Sequence, residues 1–203
     1  MKKRVVVTGI GVVSPLGIGI RENWERYLSG TSGIKEIAAE GMDTKTYAGK
    51  VSDVELEACI PEAKKDKIDK FTRFALVATK IALTDAKIGN GFNKEKIGVF
   101  MGSAFSGLNI IEEQIKMLYT DGPRRVHPLL MQKHLTNAPS GEIAIEFTLK
   151  GPNIGFSNGA CSGNYSIIHA FNTIQRHDVE AMVAGGTEAP LCPRVFEELR
   201  HKG

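Results

Sequence analysis

The chain has 203 residues, the size of one ordinary domain, and 42% of them are apolar, enough to bury a core. With 24% charged residues, a formal net charge of +3 and a mean hydropathy of −0.12, the composition excludes intrinsic disorder and gives no footing for nucleic-acid binding. No run approaches the ~18 apolar residues of a membrane span, and only a few apolar residues separate the basic start from Gly9, too few for a signal peptide.

In chain order, Arg4–Thr8 is short, β-branched and closed by Gly9, and reads as a buried first strand. Residues 9–17 read as a loop, because Pro15 and Gly17 break any periodicity. Arg21–Ser29 reads as a short amphipathic helix, with Trp24 and Leu28 on one side and Gly30 as its stop. Residues 31–60 are irregular apart from a short strand at Tyr47–Val51. Asp69–Ala86 is the strongest helix, its apolar face carrying Phe71, Phe74, Ala75, Ala78, Ala82 and Leu83. Ile97–Met101 is a strand ending at Gly102, and Leu108–Tyr119 and Ser140–Leu149 are helices. Asn153–Ser157 is a strand, followed by a helix over Ser162–Arg176 with Ile167, Ile168, Phe171 and Ile174 on one side. A last strand, Ala181–Ala184, runs into Gly185-Gly186. This alternation predicts an α/β fold, a mostly parallel sheet with helices on both faces. The sequence stops soon after a strand, an odd place for such a sheet to finish.

Gly9-Ile10-Gly11 is only a fragment of a dinucleotide fingerprint: position 14 is serine, Pro15 follows, and no acidic residue ends a second strand. A tight turn explains it. Gly159-Ala160-Cys161-Ser162-Gly163 falls between a strand and a helix. Small residues there allow a sharp turn that exposes a nucleophile, and a helix N-terminus favours a thiolate and donates backbone N–H groups to an oxyanion. This Gly-x-Cys-x-Gly fits the nucleophile elbow of hydrolases and glutamine amidotransferases. A buried packing cysteine is the other reading. The cysteines, Cys59, Cys161 and Cys192, are odd in number and widely spaced, which predicts a reducing cytoplasm and neither disulfides nor a zinc site. The five histidines (His127, His134, His169, His177, His201) show no metal-type pairing, and none is an evident base for Cys161. Lys64, Lys65, Lys67, Lys70 and Arg73 form one basic cluster and Arg124-Arg125 another, with Asp66 and Asp69 interleaved. They read as a solvated helix face or as a docking surface for an acidic partner.

Five segments taken together, Lys3–Gly17, Ile97–Ser103, Gly122–Val126 (GPRRV), Lys150–Asn153 (KGPN) and Val183–Glu188 (VAGGTE), resemble the β-ketoacyl synthases, condensing enzymes of the thiolase fold. The order and spacing are more similar to the acyl-carrier-protein-dependent synthases of fatty acid and type II polyketide assembly than to a thiolase. The resemblance implies a thiolase-like layered αβαβα fold made of two similar halves, residues 1–203 being the first. It also implies that the family's two catalytic histidines and supporting lysine belong to the second half. The chain is therefore not expected to condense anything unaided, because decarboxylation of a malonyl extender would lack its donors.

In the family the cysteine follows the Gly-Pro pair by nine residues, and here that count from Gly151 ends on Ala160. The match runs without a gap on both sides, so Cys161 would serve as nucleophile only with an insertion before it and a deletion after it. An alanine at this place fits a natural non-condensing homologue resembling a chain length factor, or a deliberate Cys-to-Ala replacement. Phe105 falls where the family places a gate at the mouth of the acyl pocket, with an aromatic core plug as the other reading. Leu130 matches a residue that reaches toward the neighbouring subunit's pocket, and Asn153–Ser157 matches the strand that pairs across the family's dimer axis. Lys64, Lys65, Lys67, Arg124 and Arg125 become candidates for docking an acidic acyl carrier protein, whose phosphopantetheine arm would deliver the thioester. The resemblance implies no cofactor or metal of the chain's own, and a homodimer or a heterodimer with another ketosynthase-type chain. Three functions are carried forward: a synthase component that needs further parts, a chain-length-factor-like partner, and a thiol hydrolase or amidotransferase using Cys161.

Overall fold

A computed structural model describes residues 4–37, 46–89, 91–176 and 178–200. The first strands, β1 (Val13–Ser14) and β2 (Gly17–Ile18), form a small antiparallel hairpin around Pro15. Helix α1 (Ile20–Leu28) follows, and its Asn23 donates to the Gly17 and Gly19 carbonyls at 3.0 and 2.7 Å, fixing the hairpin to the helix. A second antiparallel ribbon pairs β3 (Ile34–Ile37) with β4 (Thr46–Gly49). Then come α2 (Asp53–Ala58), α3 (Glu62–Lys65) and α4 (Lys70–Asp85). The remainder runs β5 (Ile97–Gly102), α5 (Leu108–Thr120), α6 (Leu130–His134), α7 (Ala138–Phe147), β6 (Asn153–Phe156), α8 (Ser162–Gln175), β7 (Ala181–Gly186) and α9 (Pro193–Arg200).

The main sheet is parallel, in the order β6-β5-β7, with Val99 opposite Asn153 on one side and Val183 on the other. Its centre, β5, is buried along its whole length. Side chains alternate across it: Ile97, Val99 and Met101 join a cluster with Ala75, Leu76, Ile143 and Leu149 from the α4 and α7 side. Phe100 points to the opposite face, where its ring meets Phe156 edge-on at 5.5 Å. Helix α8 covers that face. The expected α/β layering, with helices on both sides of a parallel sheet, is present.

Helix α8 does not pack on the sheet by the apolar side marked in its sequence. Ser162, Ser166, Ala170 and Thr173 are the buried residues of the helix, and the Ser166 hydroxyl lies 2.7 Å from the Gly163 and Gly185 carbonyl oxygens. Ile167, Ile168 and Phe171 face outward, 53%, 54% and 43% exposed. The helix sits too close to the strands for large aliphatic or aromatic side chains to fit between them. Small residues therefore take the inner face.

The expected first strand over Arg4–Thr8 is absent. Residues 4–10 have no regular structure, and Val6 and Val7 are 58% and 80% exposed. The segment is held along α4 instead: the Ile10 N–H donates to Asp85 Oδ2 at 3.0 Å, and any Cβ at Gly9 or Gly11 would collide with the Ala82 or Ala78 carbonyl. A cavity of about 600 Å³ separates it from β7 and α8. The strand expected at Tyr47–Val51 is present as β4, but its partner β3 was not anticipated, since Ile34-Lys35-Glu36-Ile37 is mostly exposed and lacks a buried period. His177 and His201 lie outside the described residues.

Three measurements test this packing. Ile143, fully buried between α7 and the sheet, should cost about 2–5 kcal/mol on truncation to alanine, read by chemical denaturation. Gly141→Ala, on the same helix, adds a methyl with nothing within 4 Å of it and should stabilise by about 0.5–1 kcal/mol. Burial pushes the Asp53 carboxyl up, but Lys70 and Lys50 beside it outweigh burial and hold it below the ordinary aspartate value. A depressed carboxyl stabilises the fold above the unfolded-state value, and that contribution is lost as pH falls through the folded-state value. Lys70→Met should raise the Asp53 midpoint in a carboxyl ¹³C NMR titration and flatten the acid limb of stability. The effect should stay below about 1 kcal/mol, because Asp53 is 43% exposed.

Candidate functional site

The C-terminal ends of β5, β6 and β7 meet the N-terminus of α8, and glycines let their backbones touch. A Cβ at Gly102 would collide with the Ser162 backbone, and one at Gly186 would sit 3.0 Å from Gly163 Cα. The strand ends are tied together beyond the sheet: the Thr187 N–H donates to the Gly102 carbonyl and the Ser103 N–H to the Phe156 carbonyl, each at 3.0 Å. The Thr187 hydroxyl donates to the Phe71 carbonyl at 2.5 Å, anchoring the end of β7 to α4. Three loops, 103–106, 157–161 and 187–188, are thereby fixed side by side.

The elbow expected at Gly159–Gly163 forms. Gly159 has φ +60°, and the Ser162 hydroxyl closes the turn, accepting from the Asn158 N–H at 2.8 Å and donating to the Gly159 carbonyl at 2.6 Å. Cys161 is the N-cap residue of α8 and makes no side-chain cap bond. Ala160 and Cys161 are both exposed, so Cys161 is not a buried packing residue. That role falls to Cys192, 5% exposed, whose thiol is pushed up by burial and by the Glu112 carboxylate and stays protonated and inert. Position 160, just before the cap residue of α8, presents a methyl. A methyl can line a site but cannot attack a thioester.

Phe105 is 44% exposed, which excludes a core plug. Its loop is organised by Glu188, which stands two residues past the end of β7 and was not singled out from the sequence. Glu188 Oε1 accepts from the Ser103 hydroxyl at 2.9 Å and from the Ala104 N–H, and Oε2 accepts from the Phe105 N–H at 3.3 Å. The one available signal was an acidic residue after Gly185-Gly186 at a strand end. Its partners lie more than 80 residues earlier, beyond the reach of local pattern. Leu130 is half-buried at the start of α6, which packs beside α5 and α7. A second cavity of about 1040 Å³ lies between α5, the β3–β4 ribbon and the segment around Cys192.

Two of the described histidines hold local structure and show no link to Cys161. His169 stacks on Phe156 at 5.0 Å, and His127 Nδ1 accepts from the Leu129 N–H at 3.0 Å. Among the basic residues, Lys64 pairs with Glu146 at 2.6 Å and Glu142 at 3.6 Å, and Lys65 pairs with Glu62 at 2.7 Å. Lys67, Arg124 and Arg125 are exposed. Among the described residues, no group of three or more His, Cys, Asp or Glu could hold a metal ion, and no helix is long and apolar enough to cross a membrane.

Comparison with known proteins places this arrangement. The family model "Beta-ketoacyl synthase, N-terminal domain" matches residues 2–203. A 3-oxoacyl-[acyl-carrier-protein] synthase 2 of Staphylococcus aureus is 37% identical over 194 residues, covering 93% of this chain and 46% of the relative. The same-named protein of Coxiella burnetii is 36% identical, covering 95% of this chain and 47% of the relative. The chain thus spans about half the length of the curated relatives it matches. Among solved structures, the ishigamide ketosynthase/chain length factor superposes with a TM-score of 0.91 at 24% identity, over all of this chain and 51% of that one. A β-ketoacyl synthase from Burkholderia phymatum superposes with a TM-score of 0.83 at 25% identity, over 98% of this chain and 50% of that one. The fold is thiolase-like α/β, the first half of the layered αβαβα arrangement, and the chain belongs to the β-ketoacyl synthase family.

Proposed function

We propose that the chain is a component of a β-ketoacyl-[acyl-carrier-protein] synthase. Such an assembly joins an acyl thioester to a malonyl unit, with loss of CO₂, during fatty acid or polyketide elongation. Residues 1–203 serve as its N-terminal domain, and their site holds and shapes an acyl chain without attacking it. Ala160 carries this reading: it stands two residues before α8 at the junction of the strand ends, exposed and without a nucleophile. Family membership over residues 2–203 supports the reaction class. A narrower reading, a non-condensing partner that shapes the pocket of an active chain as a chain length factor does, draws on the same alanine.

The partner is an acyl carrier protein, whose phosphopantetheine arm brings the acyl group, so the chain needs no cofactor of its own. A solved structure of the same fold, 24% identical with a TM-score of 0.83 over 98% of this chain, is that of a type II polyketide ketosynthase in complex with its acyl carrier protein. Docking falls to the exposed Lys67, Arg124 and Arg125, with Lys64 and Lys65 at the margin, where their carboxylate partners reduce the available charge. Strand β6 is at the edge of the sheet and offers its outer backbone groups to a second ketosynthase-type chain, identical or related. The assembly works in the cytoplasm. Against the hydrolase reading, no hydrogen bond ties the Cys161 thiol to a base among the described residues.

Acyl transfer tests the reading. Incubated with an acyl-[acyl carrier protein] thioester, the chain should take up no acyl group, and Ala160→Cys should acquire one on residue 160 by peptide mapping. An acyl adduct on Cys161 of the unmodified chain would sink the reading and restore the thiol hydrolase. Iodoacetamide gives an independent check: Cys59 and Cys161 should alkylate at comparable rates in the folded protein, and Cys192 only after unfolding.

A further inference from the structure

Around Phe105 the chain forms a turn that its own sequence does not favour. Ser106 has φ +54°, in the left-handed region that a residue with a side chain seldom occupies. Its N–H donates to the Ser103 hydroxyl oxygen at 2.9 Å, and its own hydroxyl lies 2.7 Å from that of Thr136. The Ser103 hydroxyl in turn donates to Glu188 at 2.9 Å, and the Ala104 and Phe105 N–H groups converge on the same carboxylate. One side chain thus supplies the acceptors for three successive donors of the loop. Glu188 is itself held, because its neighbour Thr187 is bonded to the Gly102 and Phe71 carbonyls. It also lines both cavities that flank the end of the sheet.

We propose that Glu188 is the positioning residue that holds the Phe105 loop in place beside the strand ends, and so sets the acyl length the site admits. The inference rests on the acyl-pocket reading of Phe105 given above. A carboxylate suits the task because both of its oxygens accept. An amide of the same shape has one acceptor, and its NH₂ group would face the Phe105 N–H or the Ala104 N–H. Loss of the acceptors leaves the turn with unpaired N–H groups and an unfavourable φ at Ser106, so the loop relaxes and Phe105 moves with it. Glu188 touches no reacting atom in this scheme. It acts through the loop.

The test compares Glu188→Gln and Glu188→Ala with Phe105→Ala in the assembly the chain forms. Amide hydrogen exchange of residues 104 and 105 should accelerate at least tenfold in the Glu188 variants, with the β5 amides of residues 99–101 unchanged. The acyl lengths retained by the assembly, read by native mass spectrometry, should shift as they do in Phe105→Ala. Combining Glu188→Gln with Phe105→Ala should shift them no further. Unchanged exchange at 104 and 105 overturns the inference whatever the acyl lengths do. Faster exchange with wild-type acyl lengths, in a protein whose lengths do respond to Phe105→Ala, overturns it as well. Lengths that ignore Phe105→Ala would instead remove the acyl-pocket reading, and the inference with it.

Discussion

Backbone contact at Gly102, Gly163 and Gly186 is the constraint on which this end of the molecule depends. With no Cβ at these places, the last residues of β5 and β7 lie directly against the first turn of α8. The separation that results is set by main-chain atoms, and main-chain atoms do not repack. Everything that follows in the chain is fixed to that distance: the small inner face of α8, the turn at residues 158–162 and the bonds that leave the strand ends through Ser103 and Thr187. The α4 and α7 side of the sheet meets a different demand. There Ile97, Val99, Met101 and Ile143 fill an ordinary apolar layer, in which volume matters more than contact between backbones.

The same junction separates placement from reactivity. A helix N-terminus, a left-handed glycine and a buried serine build a turn of the kind that presents a nucleophile, and they do so without reference to which side chain is presented. Alanine at 160 is accommodated in that turn and offers no nucleophile of its own. Cys161, one residue on, is exposed but heads the helix as its cap residue, a different place in the turn. Neighbouring positions in a tight turn are not interchangeable, because successive side chains leave the backbone in different directions.

Much of the layered fold was legible because its elements carry strong period and punctuation. β5, β6, α4, α5 and α8 lie within two residues of their expected limits, and alternation of strand and helix implied the parallel sheet. The first strand was misjudged from Val5-Val6-Val7, since β-branched composition cannot say whether a neighbouring strand is within reach. The inner face of α8 was misjudged for the opposite reason: hydrophobicity marked Ile167, Ile168 and Phe171, while closeness to the sheet selected serine and alanine. Of the candidate site, the turn ahead of α8 was readable, because it is local. The Glu188 clamp on residues 103–105 was not, because it joins two loops through a sheet that single-sequence pattern cannot register.

The inverted helix α8 changes how a mutational scan of this chain would read. On most amphipathic helices the aliphatic positions are intolerant and the serines are free. Here Ser166→Val or Ala170→Leu would push the helix off the strands and damage the fold, whereas a lysine at 168 would meet solvent and leave folding intact. Any intolerance to charge at that outer position would therefore report on an assembly contact and not on the stability of the domain. Folding and association can be scored on two faces of one helix.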